Sequence, residues 1–235
     1  MIPAPLYSIA RNRMVADFPA TSEALDEPGG LLAAGGDLST ERLLDAYRRG
    51  IFPWYSTGQP ILWWAPNPRS VLFPDELKIS RSLRKTLAKG VFTVTSDRAF
   101  ACVIRACAEP RKDSAGTWLT GEMVGAYDAL HRAGHAHSIE CWRGGELAGG
   151  LYGVAIGCVF FGESMFTRVS DASKVALVEL VAMLRSWSFR LIDCQVHNAH
   201  LARLGATTIE RDSFNALIAR WCEQQPSSSA WRQAH

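Results

Sequence analysis

Hydrophobic and polar positions along the chain repeat in two periods, near 3.6 and near 2, and the points where one gives way to the other mark the elements. The segment STERLLDAYRRG (39–50) predicts a helix, with Ser39 as its N-cap and Gly50 as its stop. After a proline-broken aromatic stretch come a basic helix in KISRSLRKTLAK, a strand near VFTVTS and helices in RAFACVIRACAE and TGEMVGAYDALHRAG. A strand in HSIECWR then turns at Gly144-Gly145 into the strand pair of LAGGLYGVAIGCVFFGESMF. SDASKVALVELVAMLRSW predicts a long apolar helix opened by Ser170 or Asp171 and closed by Arg185, with Leu177, Leu180, Val181 and Leu184 on one stripe. The strand LIDCQV follows it. Helices preceding an antiparallel run, then helix and strand, predict an α+β fold. A small N-terminal unit with one clear helix is expected over residues 1–62 and a larger domain over 63–235, whose polar end QQPSSSAWRQAH reads as loose.

Three polar residues interrupt this apolar background. Glu163 in FFGESMF and Asp193 and Gln195 in LIDCQV stand where a core would take leucine, so they satisfy one another or face a site. Strand alternation puts Asp193 and Gln195 on one face and Ile192, Cys194 and Val196 on the other. An ionised Asp193 would hold the Gln195 amide NH2 and turn its carbonyl oxygen outward, a suitable acceptor for an incoming amine. A polar tie at the end of a strand fits those six residues equally well. The adjoining apolar helix, with Glu163 at its mouth, favours a site.

Composition narrows the class. The 235 residues are 48% hydrophobic, enough for a substantial core, and the longest apolar run falls well short of the roughly 20 residues that span a bilayer. A start reading MIPAPLYSIARNR has no apolar secretory core, so a cytoplasmic protein is expected. The six cysteines lack CxxC spacing and read as reduced, mostly buried thiols. His135, His137, His197 and His200 find no carboxylate or cysteine at ligand spacing, so no metal is expected, and no Gly-x-Ser-x-Gly elbow offers a nucleophile. Cys194, facing away from Asp193 and Gln195, reads as a core thiol.

A formal net charge of +2 says little about partners, but its distribution says more. Lys78, Arg81, Arg84, Lys85 and Lys89 fall within twelve residues that contain no acid, with Leu77, Leu83 and Leu87 left to face inward. A solvated helix face accounts for such a run as well, but most such faces mix both signs, so the absence of acid favours a phosphate-binding stripe. Between Gly50 and Pro68 lie Phe52, Trp54, Tyr55, Trp63 and Trp64; most read as a buried plug, and one exposed ring would suffice to stack on a base.

Several blocks in one order carry a resemblance. EPGGLLAAGGDLS (27–39), RRGIFPWYS (48–56), ILWWAPNPRSVL (61–72), GTWLT (116–120), HAHSIECW (135–142), FGESMF (161–166) and LIDCQVHNAHLARLGA (191–206) together resemble the leucyl/phenylalanyl-tRNA-protein transferases. The resemblance implies a Gcn5-related acyltransferase (GNAT) fold for 63–235. It implies transfer of Leu, Phe or Met from aminoacyl-tRNA to proteins with an N-terminal Arg or Lys, marking them for N-degron degradation, by a monomer with no cofactor. Asp193 and Gln195 would form the catalytic centre. Glu163 and Gly162 would position the aminoacyl end and Asn198 would brace the loop beyond. Trp54 and Trp118 would wall the aminoacyl-adenosine, and the basic stripe would hold the acceptor stem. The amino-acid side chain would enter an apolar pocket of Leu151, Phe160, Met165, Leu177, Leu180, Leu184 and Ile192. Related enzymes often carry Met or Phe at the positions of Leu151, Leu180 and Leu184, which leaves the Leu:Phe ratio open.

Two rivals fit less well. An acyl-CoA-dependent N-acyltransferase of the same fold would cradle pyrophosphate in a glycine-containing loop, whereas the equivalent turn here, SMFTRVSDASK, has no glycine and sets Asp171 against an anion. A non-catalytic RNA-binding module would use the basic helix and the aromatics, but leaves Glu163, Asp193 and Gln195 without a purpose.

Overall fold

A computed structural model of the chain describes residues 6–10, 18–109 and 119–231. In chain order the strands and α-helices are β1 (Tyr7–Ile9), β2 (Leu31–Gly35), α1 (Thr40–Arg48), β3 (Phe52–Pro53), β4 (Leu62–Trp64), β5 (Arg69–Leu72), α2 (Arg81–Ala88), β6 (Thr93–Ser96), α3 (Phe100–Ala108), α4 (Gly121–Arg132), β7 (Ala136–Arg143), β8 (Glu146–Ile156), β9 (Val159–Thr167), α5 (Ala172–Ser186), β10 (Leu191–Gln195), α6 (Ala199–Arg203), β11 (Thr207–Ile209) and α7 (Arg211–Trp221). They form a mixed α/β architecture with an N-terminal sheet ordered β1-β2-β4-β3 and a larger sheet ordered β11-β5-β10-β9-β8-β7-β6. Because β4 pairs with β2 and β3, the first sheet continues past residue 62.

The larger sheet is antiparallel except at β9 and β10, where α5 carries the chain back across the face so that the two strands run parallel. Alternation then sorts the side chains into two cores. Tyr152, Val154 and Phe161 enter one, with α1, α3, α4 and the N-terminal sheet. Leu151, Phe160 and Ile192 enter the other, beneath α2 and α5. Each such ring or aliphatic side chain contributes about 1.5–3 kcal/mol on burial, so the parallel strands are anchored from both sides.

Local chemistry fixes the helix ends. Ser39 caps α1 by accepting the Arg42 N–H at 3.4 Å, and Gly50 beyond it has φ +76°, a left-handed turn that suits glycine. Asp171 precedes α5 at φ 67° without capping it; its carboxylate takes Lys174 Nζ at 2.7 Å and Thr86 Oγ1 at 3.1 Å, tying α5 to α2. The basic helix is shorter than its sequence spacing suggests. Ser80 caps it, so Lys78 lies before the helix with its N–H on the Leu204 carbonyl, and Lys89 closes the end. The C-terminal segment is not loose through its described residues: Trp231 packs against His137, Phe160, Trp187 and Phe189. Among the described residues no helix is long and apolar enough to cross a membrane.

Candidate active site

The site begins with a buried cation that the sequence reading passed over. Arg69, the first residue of β5, has almost no contact with solvent, and neither has Asp193 on the neighbouring β10. Arg69 Nε donates to Asp193 Oδ1 at 2.9 Å and Nη2 to Oδ2 at 2.6 Å, a bidentate pair. Its Nη1 donates to the Gly50 carbonyl at 2.9 Å, and its guanidinium lies between the rings of Phe52 and Phe214, 4.8 and 4.5 Å from their centres.

The strand expectation for LIDCQV fails at its middle. The register against β5 passes from Asp193–Val71 to Gln195–Ser70, so Cys194 is the extra residue of a bulge and Gln195 takes φ 62°. The Asp193 Oδ1 accepts the Gln195 backbone N–H at 2.8 Å, which holds the bulge. Asp193 therefore does not grip the Gln195 side chain; it positions the residue through the main chain. Cys194 is not turned away either, since it lines the same cavity as Asp193 and Gln195. Burial pushes its thiol up, and the neighbouring Asp193 adds to that.

The partner of the Gln195 amide is Glu163, on β9. Gln195 Nε2 donates to Glu163 Oε1 at 2.9 Å, and among the described residues nothing donates to the Gln195 carbonyl oxygen. Tyr47 from α1 donates to Oε1 at 2.7 Å and Tyr127 from α4 to Oε2 at 2.5 Å, with the two hydroxyls 2.7 Å apart. Burial pushes the Glu163 carboxyl up to about 7 from an ordinary 4.5, with the Tyr127 and Tyr47 bonds pulling the other way. Burial first, and then Glu163, raise both phenols well above their usual value, so they remain donors. The Tyr152 hydroxyl beside them is buried and has no hydrogen-bond partner among the described residues.

These groups stand at one end of a cavity of about 250 Å³ between the larger sheet, α5 and the β3 segment. Leu151, Phe160, Met165, Leu177, Leu180 and Ile192 line its apolar part, while Gly162, Glu163, Asp193, Gln195 and Asn198 line its polar part. Gly162 brings β9 and β10 together: a Cβ there would lie 3.3 Å from the Asp193 carbonyl oxygen. Asn198 accepts the His200 N–H at 2.7 Å and opens α6, bracing the chain after β10. Trp54 forms the rim, 44% exposed, its carbonyl bonded by the Trp64 indole at 2.6 Å. Phe52, Tyr55 and Trp63 are buried around it.

The sequence-derived set thus gathers in one place, with specific exceptions. Leu184 belongs to the core behind α5 and does not line the cavity, because the stripe rotates away from it one turn beyond Leu180. Trp118 lies outside the described residues. Lys78, Arg81, Arg84, Lys85 and Lys89 are all exposed, with Leu83 buried beneath them and Leu77 and Leu87 packed alongside. Of the residues that reasoning missed, Arg69 carried a signal: a charge inside a short apolar strand requires a buried acid. Tyr47 and Tyr127 carried none, since each reads as an ordinary aromatic on an amphipathic helix.

Comparison with known proteins adds a family. The model described as leucyl/phenylalanyl-tRNA protein transferase matches residues 71–219, and the model of that family's N-terminal domain matches residues 36–67. The leucyl/phenylalanyl-tRNA–protein transferase of Methylococcus capsulatus is 58% identical over 217 residues, 92% of this chain and 92% of that protein. Its namesake in Nitrosomonas europaea is 62% identical over 201 residues, covering 86% and 85%. Among solved structures, L-PGS from Bacillus licheniformis aligns with a TM-score of 0.41 at 11% identity, over 71% of this chain and 53% of that one, too distant a likeness to transfer fold or activity.

Proposed function

The chain belongs to the leucyl/phenylalanyl-tRNA protein transferase family, an aminoacyltransferase acting from aminoacyl-tRNA onto proteins, and we propose that the cavity under Trp54 is where that transfer takes place. The observation that carries this reading is the join of an apolar pocket to a Gln195 carbonyl oxygen fixed at its polar end. The donor side chain of Leu, Phe or Met fills the apolar part between Leu151, Phe160 and Leu177. The terminal adenosine stacks on Trp54, and the tRNA phosphates run toward the exposed cations before and along α2.

The chemistry needs position more than activation. An aminoacyl ester is already reactive, and an acceptor α-amine with a pKa of roughly 7.7–8.0 has a neutral fraction at neutral pH. The amine nitrogen attacks the ester carbonyl carbon, an amide bond forms and the bond to the ribose oxygen breaks. Gln195 Oε1 accepts an amine N–H and aligns the lone pair; an amide does not keep a proton, so the proton passes to the departing ribose oxygen. Glu163 fixes the Gln195 amide and, as the cavity carboxylate not matched by an arginine, favours an acceptor beginning with Arg or Lys. Modification of such N-termini is the step that marks a protein for N-degron degradation.

The helices, the antiparallel run and the crossover of α5 between parallel β9 and β10 support a Gcn5-related acyltransferase-like reading of the larger domain. The test of function is direct. Labelled Leu-tRNA and Phe-tRNA are incubated with peptides that differ only in their first residue; transfer to Arg- and Lys-initiated peptides but not to a Glu-initiated one is expected. Equal labelling of all peptides would refute the acceptor preference, and no transfer would refute the assignment of the activity to this chain.

A further inference from the structure

Phe160 has two sides. One lines the cavity, and behind it lies Trp231, ten residues beyond the last helix, with ring centres 5.8 Å apart. The Phe160 ring reaches this position across β8 because residue 153 is glycine: a Cβ there would lie 2.6 Å from two of its ring carbons. Gly153 pairs in register with His137 on β7, so the gap left by the absent side chain is flanked by the imidazole. Trp231 stacks on that imidazole at 3.9 Å with planes 7° apart. His137 is held from behind, its Nδ1 2.7 Å from Asp97 Oδ2. Trp187 meets the indole edge-on at 4.9 Å, and the Ser227 N–H bonds the Trp187 carbonyl at 3.0 Å, docking the segment that delivers Trp231.

Among the described residues the indole is held by ring contacts with His137, Phe160, Trp187 and Phe189, and its buried Nε1 has no hydrogen-bond partner there. Asp97, His137, Trp231 and Phe160 thus form a stack that ends at the cavity wall. We propose that Trp231 is a specificity-determining positioning residue: it backs Phe160 and so sets the depth of the pocket that receives the donor side chain. The inference rests on the assignment of the cavity to that side chain.

Removal of the wedge leaves a void into which Phe160 can retreat, deepening the pocket. A larger side chain then gains room while a smaller one loses contact. Trp231→Ala should therefore raise the kcat/KM ratio of Phe-tRNA over Leu-tRNA, measured in competition with one Arg-initiated peptide, by about 5-fold or more, within the range that small pocket changes command. Trp231→Phe should restore most of the original ratio. A ratio is independent of the fraction of active protein, so general destabilisation does not move it. Trp231→Leu gives the same reading where the alanine variant does not fold. Phe160→Leu serves as the reference. If it shifts the ratio while the Trp231 variants leave it unchanged, the backing role is overturned and the pocket stands; if Phe160→Leu also leaves it unchanged, the pocket assignment falls and the role of Trp231 with it.

Discussion

Arg69 and Asp193 grip each other through two hydrogen bonds, 2.9 and 2.6 Å, in a region that solvent does not reach. The pairing decides what Asp193 can do. Its charge is matched by the guanidinium and one of its oxygens is shared with the Gln195 backbone, so it shapes the β10 bulge and leaves the Gln195 side chain to Glu163. The geometry of the proposed transfer site and the stability of the fold therefore meet in one ion pair that joins β5 to β10.

Breaking that pair from one side should be severe. Arg69→Met leaves the Asp193 carboxylate buried and uncompensated, and a loss of about 3–5 kcal/mol in unfolding free energy is expected. The double variant Arg69→Met/Asp193→Asn removes both charges and should recover a large part of that loss. Urea unfolding of the two variants measures the difference; equal destabilisation would mean that the aromatic sandwich around Arg69, and not the charge pairing, accounts for the loss.

Glu163 should give the protein a pH dependence of stability. Its folded pKa of about 7 lies above the ordinary 4.5, so between those values the folded chain holds a proton that the unfolded chain has released. Stability from this group is therefore present at low pH and falls as pH rises through that window, by roughly 3 kcal/mol once both states are ionised. Glu163→Gln removes the titration and should shrink the difference in unfolding free energy between pH 5 and pH 8. An undiminished difference would place its source in another group.

Much of the larger domain was legible because long periodic segments carry their own pattern. The β7-β8-β9 run, α5 and β10 fall where apolar alternation and apolar stripes put them. Short strands carry no such signal: β1, β3 and β4 span two or three residues and are held by pairing rather than by propensity. The site was legible in its residues and not in its connections. Arg69 and Asp193 are 124 positions apart, and nothing local marks the one as the partner of the other. The period-two reading of LIDCQV failed because a bulge held by a side-chain bond inserts a residue, which alternation does not foresee. Trp231 was hidden in a polar segment, where a single aromatic is the only sign of docking.

The cations at α2 should act on the donor without touching the chemistry. Arg81, Arg84 and Lys85 are exposed on one short helix, and neutralising all three should weaken aminoacyl-tRNA binding while sparing the use of a short aminoacyl-adenosine analogue. Each phosphate contact contributes about 0.7–0.9 to the slope of log affinity against log salt, so that slope should become shallower by about 2–3. An unchanged slope, measured across a salt titration of binding, would remove α2 from the tRNA path.

Gln195→Ala should cut the transfer rate by about 10²–10³, as for loss of one preorganised polar group, while donor tRNA affinity stays near its original value. The partner to test against it is Glu163, since the Gln195 Nε2 bond ends on the Glu163 carboxylate. Glu163→Gln keeps the volume but leaves one acceptor oxygen and adds an amide donor, so Tyr47, Tyr127 and Gln195 compete for that oxygen and the fixed orientation of Gln195 is loosened. If Glu163 works through Gln195, the double variant is scarcely slower than the slower single variant, because residues acting as a unit do not add. Asp193 is the wrong member for this cycle: its loss also leaves Arg69 unpaired and mixes stability with rate. Single-turnover transfer from saturating Phe-tRNA to an Arg-initiated peptide, at a fixed pH of 8, isolates the chemical step from binding and from the Glu163 titration. Multiplicative losses in the double variant would mean that Glu163 acts on the donor or the acceptor independently, and that the bond between the two side chains is structural.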